Sequence, residues 1–504
     1  MSFGCVWEKK KDKADSVLLF FKRKRQNLNK LNYKQPSYMK LSFHGAAQTV
    51  TGSKHLLTLN NGNQILLDCG MFQGHGSETA SLNEDFGFEA SSIDFLVLSH
   101  AHIDHSGLIP KLFADGFRGD ILCTPATYDL CRIMLEDSAK IQESDVQYAN
   151  KKRAKQGKSL FEPLYTKQDA IDALKLFKKV KYDSDYQITT GVKVQFKDAG
   201  HIIGSASVHL DVIENEKITK ISFSGDVGRY KDLLLKAPET FRQADYILIE
   251  STYGDSFHDD AVPAEDKLLE IIIDTCVNRR GKLIIPAFSV GRTQEILYAL
   301  NSLEIKGKLP AIKYIVDSPL SQKATLVVKA HPNNFNQKVQ EVLKVDEDPF
   351  DFKGLRFVED TEESKAINAD SSPMLIISAS GMAEAGRIKH HIRNNLEDAN
   401  STILLVGYAE PSSLAGRLKS GVNPVSIFGD DYQVNARIAS LQSMSAHGDQ
   451  DDLLNFLSCQ DKAQIKKIFL VHGDPETQSI FRDKLMEKGY KNVEIPFRHQ
   501  SFEL

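Results

Sequence analysis

From residue 100 to residue 105 the chain reads His-Ala-His-Ile-Asp-His, so His100, His102, Asp104 and His105 fall within six positions. Imidazole nitrogens and carboxylate oxygens suit zinc, and side chains alternating within one tight loop can face two neighbouring ions. His100 and His102 can address one ion while Asp104 and His105 address the other. A run of ordinary surface polar residues is the competing reading. Four potential ligands crowded between an apolar strand and a Gly-containing turn argue against it. Further residues of ligand type recur in similar settings: Asp68 closes QILLDCG, His201 sits in DAGHIIGSAS, Asp226 in FSGDVGR and His472 in IFLVHGD. Any one of these alone reads as a hydrogen-bonded structural residue. Their recurrence at strand ends beside glycine favours one shared site.

The elements that must position them are short strands. Alternating or apolar runs predict strands at 40–43, 55–59, 64–68, 95–99, 192–196, 208–212, 221–224 and 246–250, with helices at about 128–155 and 167–178. This order predicts an α/β sandwich with helices outside sheets. After Glu250 the rhythm changes to repeated strand-then-helix units (KLIIPAF, KYIVDSP, MLIISASG and STILLVG each lead into a helical stretch), which is a parallel-sheet pattern. From about Gln442 the style changes again, through SMSAHGD, the strand KKIFLVH and a last helix that Asp474 can cap and Pro475 can open.

Composition is that of an ordinary globular protein, 504 residues with 41% apolar content, enough for two or three domains. The six cysteines form no close pair, so neither a cysteine metal site nor a disulfide framework is expected, and a reducing cytoplasm fits best. Residues 1–40 hold 11 Lys and Arg against 3 Asp and Glu, leaving 52 against 64 for the rest. The body is acidic, so any basic footprint for nucleic acid must be local. SVLLFF, flanked by KKKDK and KRKR, is too short for a membrane span or signal peptide. Residues 1–38 are expected to lie outside the fold, which begins at Met39.

The His100–His105 motif with Asp68, His201, Asp226 and His472 resembles the metallo-β-lactamase superfamily. Within it, Glu250, His447 in SMSAHGD and His472 resemble the three signature positions of the β-CASP nucleases, the branch that includes the pre-mRNA 3′-end processing endonuclease. The likeness covers residues 40–504. It implies a metallo-β-lactamase αββα sandwich over 39–253 and 441–504, interrupted by a Rossmann-like parallel α/β β-CASP domain over 254–440. It also implies two zinc ions per chain, one held by His100, His102 and His201 and the other by Asp104, His105 and His472. Asp226 would bridge both, and Asp68 would orient a histidine or the metal-bound water. In this branch RNA-cleaving members carry histidine where His472 stands, so the resemblance points to RNA, expected to be single-stranded; an endonuclease is expected, with a 5′ exonuclease left open.

Two metals can lower the pKa of a bridging water and polarise phosphoryl oxygens. The leaving oxygen needs a proton, and His447, held charged by Glu250, is the candidate acid. In the inserted region Ser378, Ser380 and Gly381 lie where a strand turns toward a helix, and Arg292 and Arg417 follow glycines. All five are candidates for substrate phosphate binding, against the plain alternative that each Arg pairs with an acidic neighbour. A thioesterase or lactamase would share the histidine loop but needs no second domain over it. An inactive scaffold would be expected to have lost ligands. A DNA nuclease of the same superfamily is the runner-up, and a homodimer is left open.

Overall fold

The computed structural model describes residues 38–74, 78–258, 263–407, 409–441 and 444–504. The basic arm up to residue 37 lies outside these residues, as do Gln442 and Ser443. Among the described residues the first strand begins at Lys40, directly after Met39.

Two seven-stranded sheets face each other. In spatial order, one contains Ser501–Glu503, Lys40–Gly45, Lys54–Thr58, Gln64–Leu67, Phe95–Val97, Asp120–Cys123 and Phe177–Lys179. The other contains Val493–Glu494, Lys467–Val471, Tyr246–Glu250, Lys217–Phe223, Ala206–Glu214, Val192–Asp198 and Tyr186–Thr189. The C-terminal segment thus completes both sheets. Ser501–Glu503 pairs antiparallel with Lys40–Ser42, and Lys467–Val471 pairs parallel with Tyr246–Glu250.

Successive strand side chains point to opposite faces, and here both faces are covered. Leu57, Leu67 and Val97 enter the core between the sheets with Phe43, Phe196, Phe223 and Phe469. Their neighbours Leu56, Leu66 and Leu96 pack outward with Leu130 and Leu135 of the long helix Pro125–Lys155. Burial on both sides is why these strands read as continuous apolar runs.

A third sheet has six parallel strands in the order Leu355–Phe357, Lys313–Val316, Met374–Ser378, Lys282–Pro286, Thr402–Val406 and Arg437–Leu441. All four predicted strand-then-helix units lie in it.

Three local expectations need correction. Residues 167–178 are not one helix: Lys167–Ala173 is helical, and after a short turn Phe177–Lys179 is a strand at the end of the first sheet. The stretch after Met374–Ser378 does not turn at once into a helix, since the next helix runs only from Ile388 to Asn395. Asp474 stands at the start of Pro475–Glu487, but its side chain makes no capping bond there. No helix among the described residues is long and apolar enough to cross a membrane, and the described cysteines are free.

Candidate metal centre

The loops at one end of the two facing sheets converge. The His100–His105 segment leaves the strand Phe95–Val97 and closes with one helical turn, Ile103–Ser106. It packs against the next loop with almost no clearance, because a Cβ at Gly70 would lie 1.6 Å from the Asp104 carbonyl oxygen. Gly225, with φ of 56°, lets the Asp226 loop approach Ser99, where a Cβ would meet the serine side chain at 2.7 Å. Asp68 and His472 are themselves left-handed, with φ of 58° and 51°. Such residues cost on the order of 1–3 kcal/mol and persist only where their surroundings hold them. Here the Asp68 amide donates to Val97 O at 3.1 Å and the His472 amide to Ala46 O at 2.7 Å.

The side chains form two sets of four atoms that share one carboxylate. In the first, His102 Nδ1 lies 3.1 Å from both His100 Nε2 and His201 Nε2, and Asp226 Oδ2 lies 3.5 Å from the same two atoms. In the second, His105 Nε2 is 3.2 Å from Asp226 Oδ1 and 3.9 Å from Asp104 Oδ2. His472 Nε2 completes it at 3.4 Å from Asp104 Oδ2 and 3.7 Å from Asp226 Oδ1. A tetrahedron with metal–ligand bonds of about 2.0–2.1 Å has edges of about 3.3–3.4 Å. The first set, at 3.1–3.5 Å, has that size, and the second, at 3.2–3.9 Å, is slightly wider.

The proton inventory fits a metal as well. His105 Nε2 and Asp226 Oδ1 are buried with no hydrogen-bond partner, a costly state for polar atoms unless something else binds them. Four of the five rings have their other nitrogen tied back to the protein: His100 Nδ1 to Ser99 Oγ at 3.1 Å, His105 Nδ1 to Asp68 Oδ2 at 2.6 Å, His201 Nδ1 to Ala446 O at 3.3 Å and His472 Nδ1 to Thr252 Oγ1 at 2.9 Å. That fixes the tautomer and turns a lone pair inward. Burial, then His105, holds His100 well below the ordinary histidine range. Burial, then His447, does the same for His201, and burial lowers His102 to about 4. Their shifts favour the neutral ring, the form that binds metals. For His105, by contrast, burial opposes charge but Asp226, Asp104 and Asp68 outweigh it and raise the ring well above the ordinary range. Burial opposes charge on Asp226, yet His105, His472 and His100 hold its carboxyl well below the usual range.

Two hubs support this layer. Asp68 accepts from the Ser99 amide at 2.7 Å, Ser99 Oγ at 2.8 Å and Ser53 Oγ at 3.3 Å besides His105, so one carboxylate aligns a histidine of each set. Glu250, fully buried, accepts from the Val227 amide at 2.7 Å, the Thr252 amide at 3.2 Å and Thr252 Oγ1 at 2.6 Å, and from His447 Nδ1 at 3.0 and 3.2 Å. Both Glu250 oxygens are engaged in hydrogen bonds, and one of them stands within 4.8 Å of ligand atoms of Asp226, His447 and His472. His447 turns Nε2 toward the cluster, 4.0 Å from Asp226 Oδ2. Burial disfavours its charge, but Glu250 and then Asp226 outweigh that and push it up to about 9.

The cluster lies on the floor of a cavity of about 640 Å³ whose opposite wall is made by strand ends of the parallel sheet, including Phe288, Arg292, Ser380 and Arg387. Of the five residues expected to bind phosphate there, only Arg292 and Ser380 line it. Arg292 is buried and paired with Glu295 one helical turn on. The Ser380 amide donates to Ala385 O at 3.3 Å, so it is not the free anion donor expected. Ser378 is buried and gives its hydroxyl to Asp317 O at 2.8 Å. A Cβ on Gly381 would meet the Phe288 ring at 2.8 Å, and Arg417 lies on the short helix Leu414–Lys419 away from the lining. Arg292, Ser378 and Ser380 thus find partners in their own layer, whereas Arg417 Nε is buried without a hydrogen-bond partner among the described residues.

Sequence reasoning missed Ser99, Thr252 and Phe288, whose ring stands 6.2 Å from that of His102. A hydroxyl next to a ligand or two residues after a buried carboxylate was the available signal for the first two.

This fold and site define a metal-dependent hydrolase. Residues 56–250 match the metallo-beta-lactamase superfamily domain, 293–418 the Beta-Casp domain and 431–496 the Zn-dependent metallo-hydrolase RNA specificity domain. A ribonuclease of Thermus thermophilus is 35% identical over 438 residues, covering 87% of this chain and 94% of that protein. An RNase J-like protein of Methanocaldococcus jannaschii is 30% identical, covering 86% and 92%. The transcription termination factor FttA of the same organism is 27% identical, covering 91% and 70%. The chain therefore belongs to the β-CASP nuclease branch of the metallo-β-lactamase superfamily.

Proposed function

We propose that this chain is a zinc-dependent endoribonuclease of the cytoplasm that holds two zinc ions and hydrolyses single-stranded RNA in processing or decay. The observation that carries the reading is the pair of ligand sets, His100, His102 and His201 on one side and Asp104, His105 and His472 on the other, with Asp226 reaching both and His447 and Glu250 beside them at a deep cleft. His100, His102 and His201 would hold one ion, Asp104, His105 and His472 the other. Residues 39–253 and 441–504 would form the metal-binding unit and 254–440 the wall across the cleft.

When bound, the ions supply charge neutralisation at the phosphoryl oxygens and activation of the attacking water. The protein's own groups do the rest. Asp68 fixes His105 directly and His100 through Ser99, and Thr252 ties His472 to Glu250. Glu250 accepts the Nδ1 proton of His447 and favours the imidazolium, leaving the Nε2 proton for the departing oxygen. A cavity of about 640 Å³ has the size of a small-molecule site, which suits a nucleotide of one strand and not a duplex. RNA as substrate is supported by the ribonuclease relative and by His472 at the third signature position.

Zinc-loaded protein should cut linear and circular single-stranded RNA and spare matched DNA. Activity should disappear on chelation and return with zinc. Equal cleavage of DNA would restore the DNA-nuclease alternative, spared circular RNA would overturn the endonucleolytic mode, and at most one ion per chain by elemental analysis would overturn the dinuclear centre.

A further inference from the structure

The helix Pro125–Lys155 does two different things along its length. Its first part is core, through Leu130 and Leu135, and residues Met134, Ser138, Ile141 and Gln142 line the catalytic cleft. Positions three and four apart share a helix face. The stripe through Met134, Ser138 and Ile141 therefore continues outward through Asp145, Tyr148, Lys152 and Lys155.

That outer half carries features that the catalytic reading does not use. Tyr148 is 80% exposed. From Val146 to Phe161 there are five basic residues and no acidic one, in a body that is otherwise acidic. Lys151, Lys152, Lys155 and Lys158 are exposed, and their ammonium groups have no partner among the described residues. The surface is built rather than frayed. The chain after the helix folds back on it, with Asn150 exchanging hydrogen bonds of 2.8 and 2.9 Å with the Phe161 backbone and the Arg153 guanidinium 3.9 Å from the Phe161 ring centroid. At 1.5 Å rise per residue, the segment from Ile141 to Lys155 carries this face about 20 Å beyond the cleft.

We propose that the outer end of this helix is an RNA-binding arm, on which Tyr148 stacks a base and the four lysines hold the backbone of the strand that leaves the cleft. The reading rests on the ribonuclease function above and adds where the rest of the substrate lies. Charge complementarity fixes the occupant, since an exposed aromatic ring among unpaired cations is the surface that a flexible single strand recognises through stacking and phosphate contacts. It also supplies the local basic footprint that an acidic body requires.

The test compares an RNA of about five nucleotides with one of about twenty, chosen to be shorter and longer than the cleft and arm together. Replacing Lys151, Lys152, Lys155 and Lys158 by Gln keeps good helix formers on an exposed surface. The quadruple variant should raise KM for the long RNA by about 10- to 100-fold at low salt and reduce its salt slope by up to about 3, at ~0.7 per phosphate contact on a single strand. The short RNA should be cut as before. Tyr148→Ala should raise the long-RNA KM about tenfold and Tyr148→Phe should restore it, because stacking needs the ring and not the hydroxyl. Equal effects on both lengths, or none on the long RNA, overturn the arm. A changed sedimentation rate with unchanged long-RNA KM assigns the patch to a second copy of the chain and also overturns it. Wild-type protein that cuts neither RNA would instead sink the ribonuclease reading itself.

Discussion

On the sandwich side of the cleft His100, His105, His201 and His472 each tie one ring nitrogen to the protein and turn the other inward, and two buried atoms there, His105 Nε2 and Asp226 Oδ1, face each other at 3.2 Å without a well-directed hydrogen bond. On the parallel-sheet side Arg292 is consumed by Glu295, Ser378 by Asp317, and Arg387 by Asp317 Oδ1 at 2.6 Å and Glu359 O at 2.6 Å. Both walls carry polar side chains, so polarity alone does not separate them. What separates them is whether the local fold leaves a lone pair or a proton unspent. A wall with unspent acceptors can bind cations, whereas a self-satisfied wall offers shape: Phe288, Met382 and the main chain around Ser380.

The largest effect should come from the one residue common to both cages. Asp226→Ala removes an atom from each, so zinc should fall from about two per chain to well below one and cleavage should fall to background. Loss of a single ion, measured by elemental analysis, would show that the cages are independent. His447→Ala should come next, lowering cleavage of ordinary RNA by roughly 10²- to 10⁴-fold with zinc unchanged, the usual worth of a positioned acid. Most of that deficit should vanish when sulfur replaces the leaving oxygen, since a thiolate leaves without a proton. An equal deficit on both substrates would make His447 a phosphate-positioning group. Asp68→Asn should act more mildly, weakening zinc affinity about 10- to 100-fold through misdirected histidines. Zinc affinity at the wild-type level would mean that the Ser99 and backbone contacts suffice.

The sandwich side was legible because its information is local. Four ligands in six residues announce themselves, and the strand Tyr246–Glu250, apolar up to Ile249 because it is buried on both faces, is legible to its last residue. Strand Phe177–Lys179 was not, because its lysines continue a helical charge pattern. Only pairing with Asp120–Cys123, some fifty residues away, draws it into the sheet. Thr252 escaped for a similar reason: its hydroxyl matters because folding brings His472 within 2.9 Å. On the opposite wall the sequence RTQE already contained the answer, since Arg292 and Glu295 are neighbours one helical turn apart. Gly-Arg spacing suggested an anion site, and the acid three residues later pairs with that arginine.

Ser378→Ala is the smallest perturbation and the sharpest test of the self-satisfied wall. Its hydroxyl is buried and donates to the Asp317 carbonyl, so the substitution removes one neutral hydrogen bond without leaving an unpaired charge. The loss of stability should be about 1 kcal/mol, the net worth of such a bond, read as a shift of the denaturant midpoint at constant m value. If the wall offers only shape, KM for RNA and its dependence on salt should stay at the wild-type level. A raised KM with a shallower salt slope and unchanged stability would mean that Ser378 leaves Asp317 to meet a phosphate when RNA binds. In that case the partners seen here describe the resting wall alone, and Arg292 would have to be tested for the same exchange with Glu295.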